Sequence, residues 1–106
     1  MHYWTYVLIA GAFEIGWAIS MKYTDGYTRL KPSILNLSLM ALSVYFLSRS
    51  LKFVPIGTAY AVWTGIGAVG TALVGILVFK EPAGFLRILF IITLIASIVG
   101  LKAVSH

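Results

Sequence analysis

Apolar residues run through this chain in four long stretches, residues 4–21, 33–51, 56–79 and 88–104, separated by short polar connections. As a helix rising about 1.5 Å per residue, the first stretch reaches roughly 27 Å, close to the thickness of a bilayer's hydrocarbon core. The pattern predicts an all-α integral membrane protein, a single domain of four transmembrane helices over residues 1–106. The connections carry helix punctuation: Gly26 and Pro32 in KYTDGYTRLKP, Pro55 in KFVP, and Pro82 and Gly84 in KEPAGFLR. Links this short make successive helices antiparallel and bring both termini to one membrane face. Tyr3, Trp4, Tyr6, Tyr23 and Tyr27 near the ends of the first helix fit an interfacial aromatic belt.

Composition agrees, since 60% of the residues are hydrophobic and only 10% charged, against about 25% charged in soluble domains. A water-soluble domain is excluded. The formal charge of +5 comes from Lys22, Arg29, Lys31, Arg49, Lys52, Lys80, Arg87 and Lys102, all at segment ends or in connections. That is the placement of anchors for lipid headgroups, so the bilayer is the expected partner and nucleic acid is not. The first stretch lacks a basic leader and a small-residue cleavage site, and it carries a glutamate; it is expected to be the first transmembrane helix rather than a signal peptide. Arg49, Lys52 and Lys102 on one face against the other five basic residues on the opposite face give little orientation bias. Insertion both ways round is compatible with that distribution.

Glu14 breaks the first apolar stretch near its middle. An ionised carboxylate at that depth costs a few kcal/mol or more and marks a functional site unless a cation pairs with it structurally. The membrane segments hold no Lys or Arg placed to do so. Its helical neighbours Ala10, Gly11, Trp17 and Ala18 are small except for Trp17, which admits another helix or a ligand to the carboxylate.

On the second helix Ser33, Asn36, Met40 and Ser43 make a thin polar stripe at spacings of three and four. Ser hydroxyls in membrane helices often bond only their own backbone; Ser43 is the deepest and the best placed to reach the level of Glu14. On the third helix Tyr60, Trp63 and Gly67 share a face, with packing or interfacial anchoring as the plainer role for the two aromatics. GIGAVG (65–70) has the G-x-G-x-x-G spacing of a dinucleotide site but no strand before it. Gly65, Gly67 and Gly70 are instead expected to serve close helix packing or bending. Ala96 and Gly100 on the fourth helix form a small-xxx-small pair suited to a helix contact.

In low dielectric a carboxyl holds a proton until a cation favours its charged form, and aromatic faces add attraction for a cation. Proton and cation then compete for one group, which suffices for proton-driven export if the site alternates between membrane faces. Neither a nucleophile–base pair nor a metal-ligand cluster occurs, and the histidines are His2 and His106 near the termini; the expectation is a transporter, not an enzyme, without cofactor or metal. Four short helices leave little room for a water-filled path, so the site is expected between subunits.

The chain closely resembles the small multidrug resistance family, in particular its guanidinium exporter subtype. The resemblance spans nearly the whole chain through AGAFEIGWA (10–18), KYTDGYTRLKPS (22–33) and PIGTAYAVWTGIGAVG (55–70). Trp17, three residues after the glutamate, marks the subtype. The resemblance implies an antiparallel, dual-topology dimer in the plasma (inner) membrane, with both copies of Glu14 converging on one site. It further implies that Glu14 exchanges protons for guanidinium and that Gly11, Trp17, Ser43, Tyr60 and Trp63 line the site. A planar guanidinium can bond a carboxylate bidentately, and Ser43 is expected to orient that carboxylate.

Two other readings stand beside this one. An exporter of quaternary ammonium or other hydrophobic cations would want a roomier pocket than Trp17 leaves. A non-transporting membrane subunit would pair Glu14 with a partner's basic residue. A homodimer is expected, and a heterodimer with a paralogue is the alternative assembly.

Overall fold

The computed structural model describes residues 2–104; His106, noted above, lies outside them. It contains α1 (His2–Met21), α2 (Leu30–Ser50), α3 (Ile56–Leu77) and α4 (Phe85–Val104), with no strand among the described residues. All four helices are long and apolar enough to cross a membrane.

The helices outrun the apolar stretches at three ends. α1 begins at His2 rather than 4, α2 at Leu30 rather than 33, and α4 at Phe85 rather than 88. Pro32 falls in the first turn of α2, where its missing N–H leaves no helical bond unmade, so Pro32 and Lys31 are helical rather than part of the connection. α3 stops two residues short, at Leu77, because the Val78 and Phe79 N–H groups both turn back to the Val74 carbonyl.

The shape is a slab of 42 × 35 × 17 Å. The helices stand in a row, α2–α1–α3–α4, with α1 packed on α2 and α3, and α4 packed on α3 with Lys102 reaching over the Trp4 ring of α1. The slab is about two helix diameters thick at most. Its apolar core is small: Val7, Val54, Ala59 and Val62 cluster at the end carrying the α2–α3 connection, with Tyr3, Trp4, Leu47 and Trp63 against them.

α2 is inside out by soluble-protein standards. Its buried residues are Ser33, Asn36, Ser43 and Ser50, whereas Ile34, Leu35, Leu37 and Leu42 are exposed. Lipid tails satisfy leucine as well as a core does, so the polar face turns inward to find hydrogen-bond partners.

Candidate functional site

Glu14 lies on the α1 face that meets α3, where side chains of one helix fill gaps left by glycines of the other. A Cβ on Gly67 would collide with the Glu14 carboxyl, a Cβ on Gly70 with Ile15, and a Cβ on Gly11 with Ile66. Gly11 is therefore buried under Ile66 in the helix contact. Gly65 faces the other way, against Ile98 of α4. The GIGAVG run thus serves two contacts at once, Gly65 toward α4 and Gly67 and Gly70 toward α1.

The carboxyl that Gly67 admits is underserved: Glu14 Oε1 is buried and has no hydrogen-bond partner among the described residues. An ion pair at 2.7 Å joins Glu81 of the α3–α4 connection to Arg87 in the first turn of α4, and neither partner reaches the Glu14 carboxyl. A buried carboxyl oxygen without a partner is costly, and an exchangeable proton or a cationic ligand would satisfy it.

One helical turn away, three helices are tied by one hydroxyl. Ser43 donates to the Ala10 carbonyl at 2.6 Å and accepts from Trp63 Nε1 at 2.8 Å. Ala10 is the residue whose carbonyl receives the Glu14 N–H in an α-helix. Ser43 is expected from sequence to orient the carboxylate; in this structure its single proton goes to the α1 backbone one turn before Glu14 and not to the carboxyl. Trp63 is held in turn by Ser43 and stacks at a tilt on Tyr60, with ring centroids 5.5 Å apart. Tyr60 is 57% exposed, so its ring looks out of the slab.

A second knot, at the other end of α1, was only half visible in sequence. Asn36 is fully buried; its Nδ2 donates to the Trp17 carbonyl at 2.7 Å and to Ser20 Oγ at 3.0 Å, and its Oδ1 accepts from the Tyr27 hydroxyl at 2.8 Å. Tyr27, expected as an interfacial anchor, is thus bound to a buried amide. The backbone of Trp17 is fixed by α2. Asn36 belonged to the polar stripe, but nothing in its spacing named Tyr27 or Trp17 as partners. Thr71, whose buried hydroxyl also has no partner among the described residues, carried no sequence signal at all.

Ala96 and Gly100 are exposed, and nothing lies within 4 Å of a Cβ built on Gly100.

A sequence model of the family described as Small Multidrug Resistance protein matches residues 2–95. Among curated relatives, the chain is 51% identical over 102 residues to a protein named guanidinium exporter of Proteus vulgaris, covering 96% of this chain and 98% of that protein. It is 52% identical over 102 residues to a guanidinium exporter of Yersinia pestis, with the same shares covered. A guanidinium exporter of Citrobacter freundii is 50% identical over 103 residues, covering 97% of this chain and 98% of that one.

Proposed function

We propose that this chain, which belongs to the small multidrug resistance family, exports guanidinium in exchange for protons across the plasma (inner) membrane. It is a multi-pass membrane protein. The observation that carries the reading is Glu14, an intramembrane carboxyl with an unpartnered oxygen, seated where Gly67 leaves room for it. Relatives about half identical over nearly their whole length and named guanidinium exporters support the choice of cation.

The cycle needs one group to hold two cargoes in turn. With no cation bound, Glu14 carries a proton, and the neutral carboxyl is tolerated in low dielectric. Guanidinium brings its own charge and up to two parallel N–H donors, so it satisfies Oε1 and Oε2 together and displaces the proton. Trp63 and Tyr60, oriented through Ser43, and Trp17, fixed through Asn36, offer aromatic faces to a planar cation. No reaction on the cargo is required, so the chain is a transporter and not an enzyme.

A single slab cannot surround a solute, and Tyr60 faces out of it. The site is completed by a second copy, with two Glu14 residues facing one another in an antiparallel homodimer. The exposed Ala96 and Gly100 on α4 are suited to close approach by another helix. The distribution of basic residues on the two faces permits the opposed insertion that such a dimer needs.

The test is reconstitution of the purified chain in liposomes under a guanidinium gradient, recording current and internal pH. Guanidinium movement coupled to opposite proton movement supports the reading. Transport of tetraalkylammonium with guanidinium ignored would replace it by the hydrophobic-cation exporter, and no transport by the chain alone would point to a partner subunit.

A further inference from the structure

A cavity of about 380 Å³ lies between α1 and α3, lined at its inner end by Ala18 and Thr71, one helical turn from Glu14 and Gly67 respectively. Positions 67, 71 and 75 of α3 are spaced four apart, one turn each, so they form one line along the helix. Glu14 rests on Gly67 at the inner end, and the side chain of Glu81 rests on Gly75 in the same way at the outer end. Between them stands Thr71, a cavity-lining residue whose hydroxyl has no hydrogen-bond partner among the described residues. Eight residues of helix separate the two glycines, about 12 Å.

The walls are made of small side chains. Ala18 lines the inner end one turn beyond Glu14, and Ala68, Ala72 and Gly75 line the α3 side. The mouth, by contrast, is charged: Lys22, Glu81 and Arg87 all border it. Glu81 is tied down by its N–H to the Gly75 carbonyl at 3.0 Å and by Arg87 Nη2 to its Oε1 at 2.7 Å. Arg87 also donates to the Pro82 carbonyl at 3.0 Å, and Lys22 Nζ sits 4.0 Å from the Phe79 ring centroid. Glu81 is the sole acid among these cavity-lining residues. Without it the mouth would present two uncompensated positive charges to an approaching cation.

We propose that this cavity is the aqueous route between Glu14 and the membrane face formed by the α1–α2 and α3–α4 connections, and that Glu81 keeps the route open to cations by neutralising Arg87. The proposal rests on Glu14 being the exchange group. It assigns Glu81 a positioning and charge-setting role at a site remote from the cargo's binding point, and it makes Thr71 the polar step between the two carboxyls. A cavity of this volume has room for several waters, and the Thr71 hydroxyl on its otherwise apolar wall offers one of them a hydrogen-bond partner.

The chain has no cysteine, so a single introduced thiol reports directly on water access without disturbing a native one. Ala72→Cys, or Ala18→Cys where the first does not assemble, is reconstituted and treated with a trimethylammonium methanethiosulfonate and with a neutral methanethiosulfonate of similar size. Both reagents are expected to modify the thiol. Adding Glu81→Gln, which keeps the side-chain shape, is expected to slow the cationic reagent about tenfold relative to the neutral one, as local charge steers cation entry. High salt or a further Arg87→Gln restores the ratio. In a cysteine-free background Glu81→Gln is expected to raise the KM for guanidinium with its maximal rate kept, again rescued by Arg87→Gln. A thiol at these positions that resists both reagents, or a cation-to-neutral ratio unmoved by Glu81→Gln, overturns the proposal. Thiol modification does not depend on transport, so it is read separately from the liposome test of guanidinium exchange.

Discussion

The carboxyl of Glu14 occupies the space that a methyl group on Gly67 would need. An acid on α1 and a missing side chain on α3 therefore form one structural unit. Gly67→Ala must either push the carboxyl aside or part the two helices, and overpacking of this kind costs about 1–3 kcal/mol. Guanidinium exchange in liposomes is expected to fall at least tenfold, while Gly57→Ala, where a Cβ meets nothing within 4 Å, leaves it unchanged. Equal activity of the two variants would mean that the contact has no part in transport.

Replacing Glu14 by Gln keeps the shape and removes both the exchangeable proton and the charge. Proton-coupled guanidinium movement is expected to vanish while the protein still assembles, as judged by its elution in detergent. Normal exchange by Glu14→Gln would remove the basis for the mechanism.

Competition between proton and guanidinium for one carboxyl has a definite sign. Guanidinium binds the ionised form, and lowering the pH fills the site with protons, so the apparent Kd must rise as pH falls. Where the site is mostly protonated, displacement of one proton per cation raises Kd about tenfold per pH unit, equal to about 1.4 kcal/mol. In a dimer the two carboxyls titrate as a pair, so the midpoint belongs to both. Binding titrations followed by tryptophan fluorescence at several pH values check this; a Kd independent of pH, or one that falls on acidification, is incompatible with shared occupancy.

How much of this was legible in the sequence depends on range. Four helices, their antiparallel order and the exceptional place of Glu14 follow from apolar length and from the cost of a charge in lipid, both local properties. Helix ends were less legible: Pro32 looks like a breaker, yet in a first turn it costs nothing, so α2 runs three residues further. The partners of polar groups were least legible. Ser43 could be placed at the right depth from its spacing, but that its proton goes to Ala10 and its lone pair to Trp63 depends on how three helices cross. Thr71 and Glu81 acquire interest only from Gly67 and Gly75 lying on one line of α3, which a sequence shows as two unremarkable spacings of four.

The Ser43 hydroxyl gives the last expectation, because it serves two neighbours at once. Ser43→Ala leaves the Trp63 N–H without its acceptor and the Ala10 carbonyl without its extra donor. An unsatisfied buried donor costs about 1–3 kcal/mol, although interhelical bonds in membranes more often measure near 0.6 to 2 kcal/mol. A loss of about 1–2 kcal/mol on unfolding in mixed micelles is therefore expected. Trp63→Phe removes the donor along with the need for an acceptor, so adding Ser43→Ala to it should cost less than Ser43→Ala costs alone. The double-mutant cycle isolates that difference as a coupling of roughly 0.5–1.5 kcal/mol. Ser43→Thr keeps the hydroxyl and should retain most of the stability. Strict additivity of Ser43→Ala and Trp63→Phe would show that the bond between α2 and α3 does not hold Trp63 in place, and with it would go the account of how the aromatic wall near Glu14 is oriented.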